Sequence, residues 1–328
     1  MKIAVEAWGP DYGGEIDLGP DDASAEAVDT SCEDRRWEPV SPPATSTAEL
    51  PVAFVDGTRR MDARVFLMDG DTAPIPGVAG SVGVGVVLCE PRANGNGSWW
   101  GERRAECASL RIDRYLALGE GRRLSLSAGP GLEFHALPHP ATDIDSLADA
   151  VHERMRHNEA ELARSIASED RLVFLDGPLA VMRPGAVRVV ACIKSHNRRY
   201  LKPPEDAVMA RLGCGQRSPL FAFGDPRPRY SWYVRLCELE DGHHTWHGLV
   251  RCECPAALGL NEAIDLADAS ALVLPAFASA QYWDPRAPQN LVPVAGLEKR
   301  LRHLLGDREL IARMIRSAAR GFEGEEGE

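Results

Sequence analysis

Two aspartates stand in the same local setting, each after an apolar run and before a glycine. Asp56 ends the run VAFV, and Asp176 ends the run LVFL. Because aspartate-glycine pairs are common at turns, the turn interpretation of both sites stays open, and we predict plain turns at Asp69 and Asp241. The alternative is chemical. A carboxylate at the end of a buried strand can bind a metal ion or take part in proton transfer.

A predicted helix supplies a third carboxylate. Over residues 145–168, apolar side chains recur at steps of three, four or seven residues, which predicts an amphipathic helix of about six turns. On a helical wheel Glu159 lies about 20° beyond the edge of the apolar stripe, whereas Glu161 points farther away. A carboxylate at the border of a core needs a partner, a metal ion or solvent. Since the helix leads directly into the Asp176 strand, we expect Glu159 near the strand ends; a partly exposed glutamate is the alternative.

Together the three acids form a set of oxygen donors. Such donors suit Mg²⁺ or Mn²⁺ rather than zinc. Two such ions can activate a water and stabilise the leaving oxygen of a phosphodiester. The ions would also counter the formal net charge of −12, which repels the phosphates of nucleic acid. The set Asp56, Glu159 and Asp176 thus indicates a metal-dependent phosphodiesterase.

A zinc site is the other metal alternative. Cys252 and Cys254 lie one residue apart, close in sequence to His243, His244 and His247. Zinc sites with four ligands usually have a wider spacing between cysteines. The eight cysteines are scattered, and none forms a CxxC pair, which favours buried thiols.

Basic residues follow the Asp176 strand. Lys194 ends the apolar segment VRVVACIK, where it could line a basic lip for a phosphate or simply be solvated. A later segment, DPRPRYSWYVR, interleaves arginines with aromatic residues, which can grip a single strand by charge and stacking. Alternation along a strand gives the same pattern without a ligand. The candidate nucleic-acid contacts of these segments are Arg198, Arg199, Arg227, Arg229 and Arg235, with the aromatic residues Tyr230, Trp232 and Tyr233.

The periodicity of the whole chain predicts an α/β or mixed α+β fold with one central sheet. Turn signals separate successive strands in the first half, and longer helices follow. The predicted strands are PVAFVDG, ARVFLMDG, SVGVGVVLCE, ECASLRIDRYLAL, RLVFLDG, VRVVACIK, FAFGD, YSWYVRLCEL and TWHGLVRCEC. The predicted helices are 145–168, 261–276, 293–305 and 307–320.

Length and composition bound the class of protein. With 328 residues, of which 44% are hydrophobic, the chain can bury a substantial core. No apolar run reaches about 18 residues, and the first residues do not resemble a signal peptide, so we expect a cytoplasmic protein. We predict a loop-rich N-terminal arm for residues 1–50, one folded domain for 51–320 and a disordered acidic tail for 321–328. The net acidity argues against a transcription-factor-like DNA binder, which needs a basic recognition surface.

In its order of motifs, the chain resembles the NurA nuclease family. The matching segments, spread over residues 50–306, are FVDGTRR, the long helix with an acid, FLDGPL, ACIK, RYSWYVR, VRCECP and LVPVAGLEKRLRHLLGD. Each motif is short, so the resemblance depends on their order and spacing. It implies an RNase H-like mixed central sheet flanked by helices.

The resemblance also implies an activity and partners. That family cleaves DNA with Mn²⁺ or Mg²⁺, as 5'-3' exonucleases and single-strand endonucleases, and forms homodimers docked on the hexameric DNA-translocating ATPase HerA. By position, Asp56, Glu159 and Asp176 would match the metal-binding acids, with Glu161 as the fallback for the glutamate. Lys194 would match the strand-end lysine. Arg59, just after the first motif, joins the expected nucleic-acid contacts. The resemblance therefore implies a two-metal-ion DNA nuclease in DNA end processing, repair or antiviral defence.

One departure from the family occurs near the final helix. The family carries a tyrosine before a proline and, eight residues after the tyrosine, a histidine. Aligned on Pro293, these positions hold Asn290 and Glu298, and His303 lies one turn further on. Glu298 is therefore a candidate general base or extra metal ligand. The alternative is an RNase H-like adaptor that docks on the ATPase and has lost cleavage.

Overall fold

A ten-stranded sheet flanked by helices forms the fold, which confirms the predicted mixed α/β class. The computed structural model describes residues 27–43, 51–68, 73–90, 104–179, 188–196, 198–224, 227–240, 242–280, 282 and 286–320. The strands are β1 (Val52–Leu67), β2 (Ile75–Glu90), β3 (Arg104–Leu118), β4 (Leu126–Ser127), β5 (Glu133–Pro138), β6 (Leu172–Asp176), β7 (Val189–Ile193), β8 (Phe221–Phe223), β9 (Arg229–Arg235) and β10 (Leu249–Pro255). The helices are α1 (Ile144–Ile166), α2 (Leu260–Val273), α3 (Val292–Leu304) and α4 (Arg308–Arg320). Among the described residues, none of the helices is long and apolar enough to cross a membrane.

The strand order changes direction around β1. The strand order is β4-β5-β3-β2-β1-β6-β7-β10-β9-β8. The strands β2 to β5 therefore lie on one side of β1, and the strands β6 to β10 lie on the other. β6 pairs in parallel with β1 and with β7, whereas β10 is antiparallel to β7 and β9. The first part of β1, from Val52 to Val55, therefore forms one parallel group with β6 and β7.

Two compact units divide the chain. The first comprises residues 1–55, 87–106 and 163–295, and the second comprises 56–86, 107–162 and 296–328. In the first unit, β6 and β7 are buried almost throughout, and the ring of Phe54 stacks on that of Phe174 at 5.4 Å. In the second unit, the apolar face of α1 packs on β2 through Leu147 and Val151.

The first strand is longer than predicted. We expected two strands separated by a turn at Asp56-Gly57, but β1 continues through both residues to Leu67. The turn interpretation of Asp56 is therefore wrong. Asp69 and Asp241, the other predicted turns, lie outside the described residues.

Helices were predicted more closely than strands. α1 begins and ends within two residues of the predicted 145–168, and α2, α3 and α4 occupy the predicted segments, with a short 3-10 helix finishing the first of these. The sequence did not predict β4, β5 or the 3-10 helix at Glu205–Arg211. Residues 27–43, the described part of the predicted arm, contain two isolated bridges to the first unit, Asp29 to Ala222 and Val40 to Arg217. The predicted acidic tail lies outside the described residues.

Candidate active site

A buried lysine joins two strand ends of the first unit. Lys194 directly follows β7, and its Nζ donates to Oδ2 of Asp176 at 2.7 Å and to Oδ1 of Asn290 at 3.1 Å. Asp176 is the last residue of β6, in register with Cys192 of β7. The residue exposure of Lys194 is 6% and that of Asn290 is 1%. The ammonium group is thus held in a fixed place at the carboxyl ends of β6 and β7, so the simple solvated-lysine interpretation is wrong.

The parallel pairing of β1 and β6 leads into two aspartates. The register runs from Val52–Leu172 to Val55–Leu175. The next residues along the two strands are Asp56 and Asp176. Asp176 is a strand end, because Gly177 follows with φ 98°, a conformation that glycine adopts readily. Asp56 instead lies inside β1, with 7% of its surface exposed.

In the second unit, a glutamate carboxylate lies against the backbone of β1. Glu159 is 5% exposed, and a Cβ added at Gly57 would stand 2.4 Å from its Oε1. A side chain at position 57 would therefore displace this carboxylate. Glu161, the fallback candidate, has a side chain that is 65% exposed and approaches Arg111 at 4.0 Å. The prediction that Glu159 rather than Glu161 borders the core is confirmed.

A histidine on the same helix was missed by the sequence analysis. His152 precedes Glu159 by two turns, so both side chains leave α1 on one side. Burial, with the positive charges of Arg59 and Arg156, lowers the pKa of His152 to about 4. The imidazole is therefore neutral at neutral pH. A charged residue beside a histidine cannot be foreseen from sequence spacing alone, since Arg59 belongs to β1.

The chemistry of these acids suits a hard divalent cation. The Glu159 carboxylate, which lies close to Gly57, offers the oxygen donors that Mg²⁺ and Mn²⁺ prefer. Asp176 offers the same kind of donor, although Lys194 occupies one of its oxygens. Within the described ranges, however, no three His, Cys, Asp or Glu side chains are grouped to hold a metal ion. The donor types fit the expected ion, and metal binding by Asp56, Glu159 and Asp176 stays a prediction.

The zinc alternative gains no support from the described residues. Cys252 and Cys254 are buried in β10, and burial raises the pKa of Cys254. Cys252 lies opposite Cys192 of β7 rather than a histidine. The rings of His243 and His247 stack on each other at 3.9 Å. All eight cysteines are free thiols.

The predicted stacking segment is partly a core strand. Three of its residues are fully buried: Trp232, Tyr233 and Arg235. The expectation that they bind single-stranded nucleic acid is therefore wrong. Nη2 of Arg235 donates to the carbonyl oxygens of Met209 and Thr245, at 2.7 and 2.9 Å. Alternation along β9 explains the sequence pattern without a ligand.

The other predicted basic contacts differ in their surroundings. Arg229 donates to buried Glu253 at 3.2 Å, whereas Arg227 is exposed. Arg199 pairs with Asp206 at 3.2 Å with its side chain 71% exposed. Arg198 lies 5.1 Å from the centre of the Tyr200 ring.

Near the final helix, the two residues at the altered positions have separate roles. Asn290 contacts Lys194, as described above, which no sequence signal revealed because the two are 96 residues apart. Glu298 accepts a hydrogen bond from Arg302, one turn later on α3. His303 is exposed. The contact of Asn290 with Lys194 is therefore what the sequence analysis missed at this position.

Comparison with known proteins yields a similarity to solved structures. No family model matches the chain, and no curated protein matches it. The crystal structure of the NurA nuclease from Sulfolobus solfataricus is similar over 88% of this chain and 88% of that one, with a TM-score of 0.47 and 12% sequence identity.

Proposed function

We propose that this protein is a metal-dependent DNA nuclease whose site includes Asp176, at the carboxyl end of β6, and Asp56, within β1. The observation that carries the proposal is the register of these strands, whose parallel pairing stops at Val55 and Leu175, directly before two aspartates. The strand order reverses between β1 and β6. In open α/β sheets, ligands bind outside the carboxyl ends of strands at such a reversal.

Asp56, Glu159 and Asp176 are the proposed ligands of Mn²⁺ or Mg²⁺. When bound, the ions would supply a water nucleophile at neutral pH and stabilise the leaving oxygen. Asp56 and Glu159 are both buried carboxylates of the second unit. Because Gly57 has no side chain, the Glu159 carboxylate can approach the backbone of β1 closely. Charge on such groups is tolerated when a cation or hydrogen bonds compensate it.

Lys194 is the proposed contact for the scissile phosphate. Its ammonium has three donors, and two of them are directed to Asp176 and Asn290. These contacts hold the group in place before substrate arrives, which reduces the cost of organising the site. Asn290 thus takes a positioning role.

A second candidate function is a non-cleaving adaptor of the same fold. Two observations favour it. Lys194 donates a hydrogen bond to one carboxylate oxygen of Asp176. In addition, the described residues contain no group of three metal-ligating side chains. In this case the Lys194–Asp176 pair would stabilise the fold instead of serving catalysis.

The partners and role follow from the resemblance to the NurA family. We propose a homodimer that acts with a HerA-like hexameric ATPase in the cytoplasm, in DNA end processing or defence. The formal net charge of −12 suits a nuclease that depends on a partner to deliver the strand.

Cleavage of end-labelled single- and double-stranded DNA in Mn²⁺ tests the proposal. Wild type, Asp56→Asn, Glu159→Gln and Asp176→Asn should be compared with and without the co-purified ATPase. Loss of cleavage in all three folded variants is expected, while Glu161→Gln, altered at the exposed neighbour, should retain activity. Absence of cleavage by folded, partner-bound wild type would favour the adaptor.

A further inference from the structure

The last two helices concentrate positive charge in an acidic protein. Residues 298–320 contain seven Lys or Arg and three Asp or Glu, a net charge of +4, whereas the rest of the chain carries −16. Six of the seven cations are arginines, and all seven are exposed. They are Lys299, Arg300, Arg302, Arg308, Arg313, Arg316 and Arg320. We call this surface the C-terminal basic face.

The basic face of α4 lies opposite its buried face. Ile311 and Ile315 enter a core cluster of the second unit. Arg313, Arg316 and Arg320 follow at steps of three and four residues, so they form a stripe along the exposed side. The stripe spans about 10 Å along the helix axis, since each residue adds about 1.5 Å.

The acids in this segment lie away from the arginine stripe on α4. Asp307 caps α4, with its Oδ1 accepting from the Leu310 amide at 2.7 Å, and Glu309 lies in the first turn. Both carboxylates therefore lie at the positive end of the helix dipole. Glu298 accepts from Arg302 on α3. The stripe on α4 lies beyond these contacts, toward the carboxyl end of the helix.

A partly buried network of hydrogen bonds contacts the turn between the two helices. Arg60 donates to the carbonyl oxygen of Gly306 at 2.7 Å, and Arg114 donates to that of Leu305 at 3.3 Å. Asp62 accepts from Arg60 at 2.7 Å and from Ser81. The backbone of the turn between the helices is therefore anchored to the sheet of its own unit.

We propose that the C-terminal basic face binds the sugar-phosphate backbone of DNA. Arginine matches phosphate with paired hydrogen bonds, and regularly spaced cations suit a polymer of regularly spaced phosphates. An anionic membrane surface is a poorer fit, because a membrane-lying helix needs a free apolar face and α4 buries its own. The choice of DNA rests on the proposed nuclease function, and the face contributes affinity rather than chemistry.

The salt dependence of DNA binding tests this face. Binding of the full chain to a fluorescent DNA duplex should be followed by anisotropy in EDTA, which prevents metal-dependent cleavage. The variant Arg313→Gln/Arg316→Gln/Arg320→Gln should reduce the slope of log affinity against log salt by about 2.7, since each phosphate contact contributes about 0.9. Between about 50 and about 200 mM salt, wild-type affinity would then fall about 40-fold further than that of the variant.

Two further variants keep the result interpretable. Arg313→Lys/Arg316→Lys/Arg320→Lys should retain the slope, because the charges remain. Arg64→Gln/Arg122→Gln/Arg123→Gln removes three exposed arginines elsewhere and should also retain it. Circular dichroism checks that all three variants are folded.

The possible results separate the face from the nuclease. If the slope falls only in the Arg313→Gln/Arg316→Gln/Arg320→Gln variant, the proposal is supported, even if the protein cleaves no DNA. If the slope falls equally in the Arg64→Gln/Arg122→Gln/Arg123→Gln variant, net charge alone explains the change, and the proposal is overturned. Loss of binding to polyglutamate with unchanged DNA binding would assign the face to an acidic polypeptide instead, and loss of binding to anionic vesicles alone would assign it to a membrane. A wild type that cleaves but shows no change on altering the face would overturn this proposal and leave the nuclease standing.

Discussion

Adding one methyl group beneath Glu159 should disturb the site far more than the fold. In Gly57→Ala, the new Cβ would lie 2.4 Å from Oε1 of Glu159, so the carboxylate must move by about 1 Å to reach an ordinary contact near 3.4 Å. A displacement of about 1 Å in a catalytic constellation costs about 100-fold in rate. Overpacking lowers the free energy of unfolding by about 1–3 kcal/mol. Replacing glycine by alanine also restricts the unfolded chain, which raises the free energy of unfolding by about 0.4–1 kcal/mol. We expect a loss of about 100-fold in cleavage with a destabilisation of about 1 kcal/mol.

Gly80→Ala is the matched control for this experiment. Its Cβ would meet Val151 of the same helix at 2.9 Å, so it pushes α1 without touching a carboxylate. Cleavage rates at saturating Mn²⁺ and urea denaturation should be measured for both variants. A Gly57→Ala protein that cleaves like wild type would refute the inference that cleavage depends on the position of the Glu159 carboxylate beside Gly57. Equal losses in both variants would show that the helix position, and not the carboxylate, controls activity.

A second test asks whether the clash acts through Glu159. In a Glu159→Ala background the new methyl group meets no carboxylate, and its next neighbour is Met155 at 3.0 Å. The destabilisation by Gly57→Ala should therefore shrink in that background, as expected for residues in contact. An unchanged destabilisation in the double variant would contradict the geometry.

Three other predictions concern buried charges. Lys194→Met should lower the unfolding free energy by about 2 kcal/mol, because it removes charge-assisted hydrogen bonds from Asp176, and it should abolish cleavage; denaturation and activity assays check both. Burial lowers the pKa of His196 to about 4, so the unfolded chain takes up this proton first, and stability is lost as pH falls from about 6.5 toward 4. His196→Phe should remove up to about 1.4 kcal/mol per pH unit from that slope, measured by denaturation at several pH values, and an unchanged slope would contradict it. Arg217→Met should cost about 3–5 kcal/mol because it removes the buried guanidinium that pairs with Glu33 and Asp268. Arg35→Met, which removes the exposed partner of Glu33, should cost less than about 1 kcal/mol.

The sequence predicted the helical parts of the site better than the strands. The apolar stripe of α1 recurs over many residues, so both the helix and the buried border position of Glu159 could be inferred. The aspartate-glycine signal at Asp56 is local and was overridden by the pairing of β1 with its neighbours. Gly57 serves a close approach of a side chain from α1 instead of a turn, and this reason for a glycine is not visible in its neighbours along the chain.

Contacts between distant segments explain the remaining differences. Asn290 differs from the residue expected by resemblance, and its contact with Lys194 joins two unrelated segments. Arg235 and Trp232 have the residue types of a nucleic-acid surface but lie in a strand covered on both faces. Residue type alone does not distinguish these situations, because burial depends on which elements pack over the strand.

The bridge between Asp29 and β8 has a consequence for solubility. β8 is the last strand in the sheet order, and its sequence is Phe-Ala-Phe. An edge strand with free backbone groups and aromatic side chains is a template for pairing with another chain. The amide and carbonyl of Asp29 each bond to Ala222 at 2.8 Å, so the N-terminal arm occupies this edge. At Ala222 the arm therefore takes up the backbone groups that edge-to-edge pairing with another chain would need.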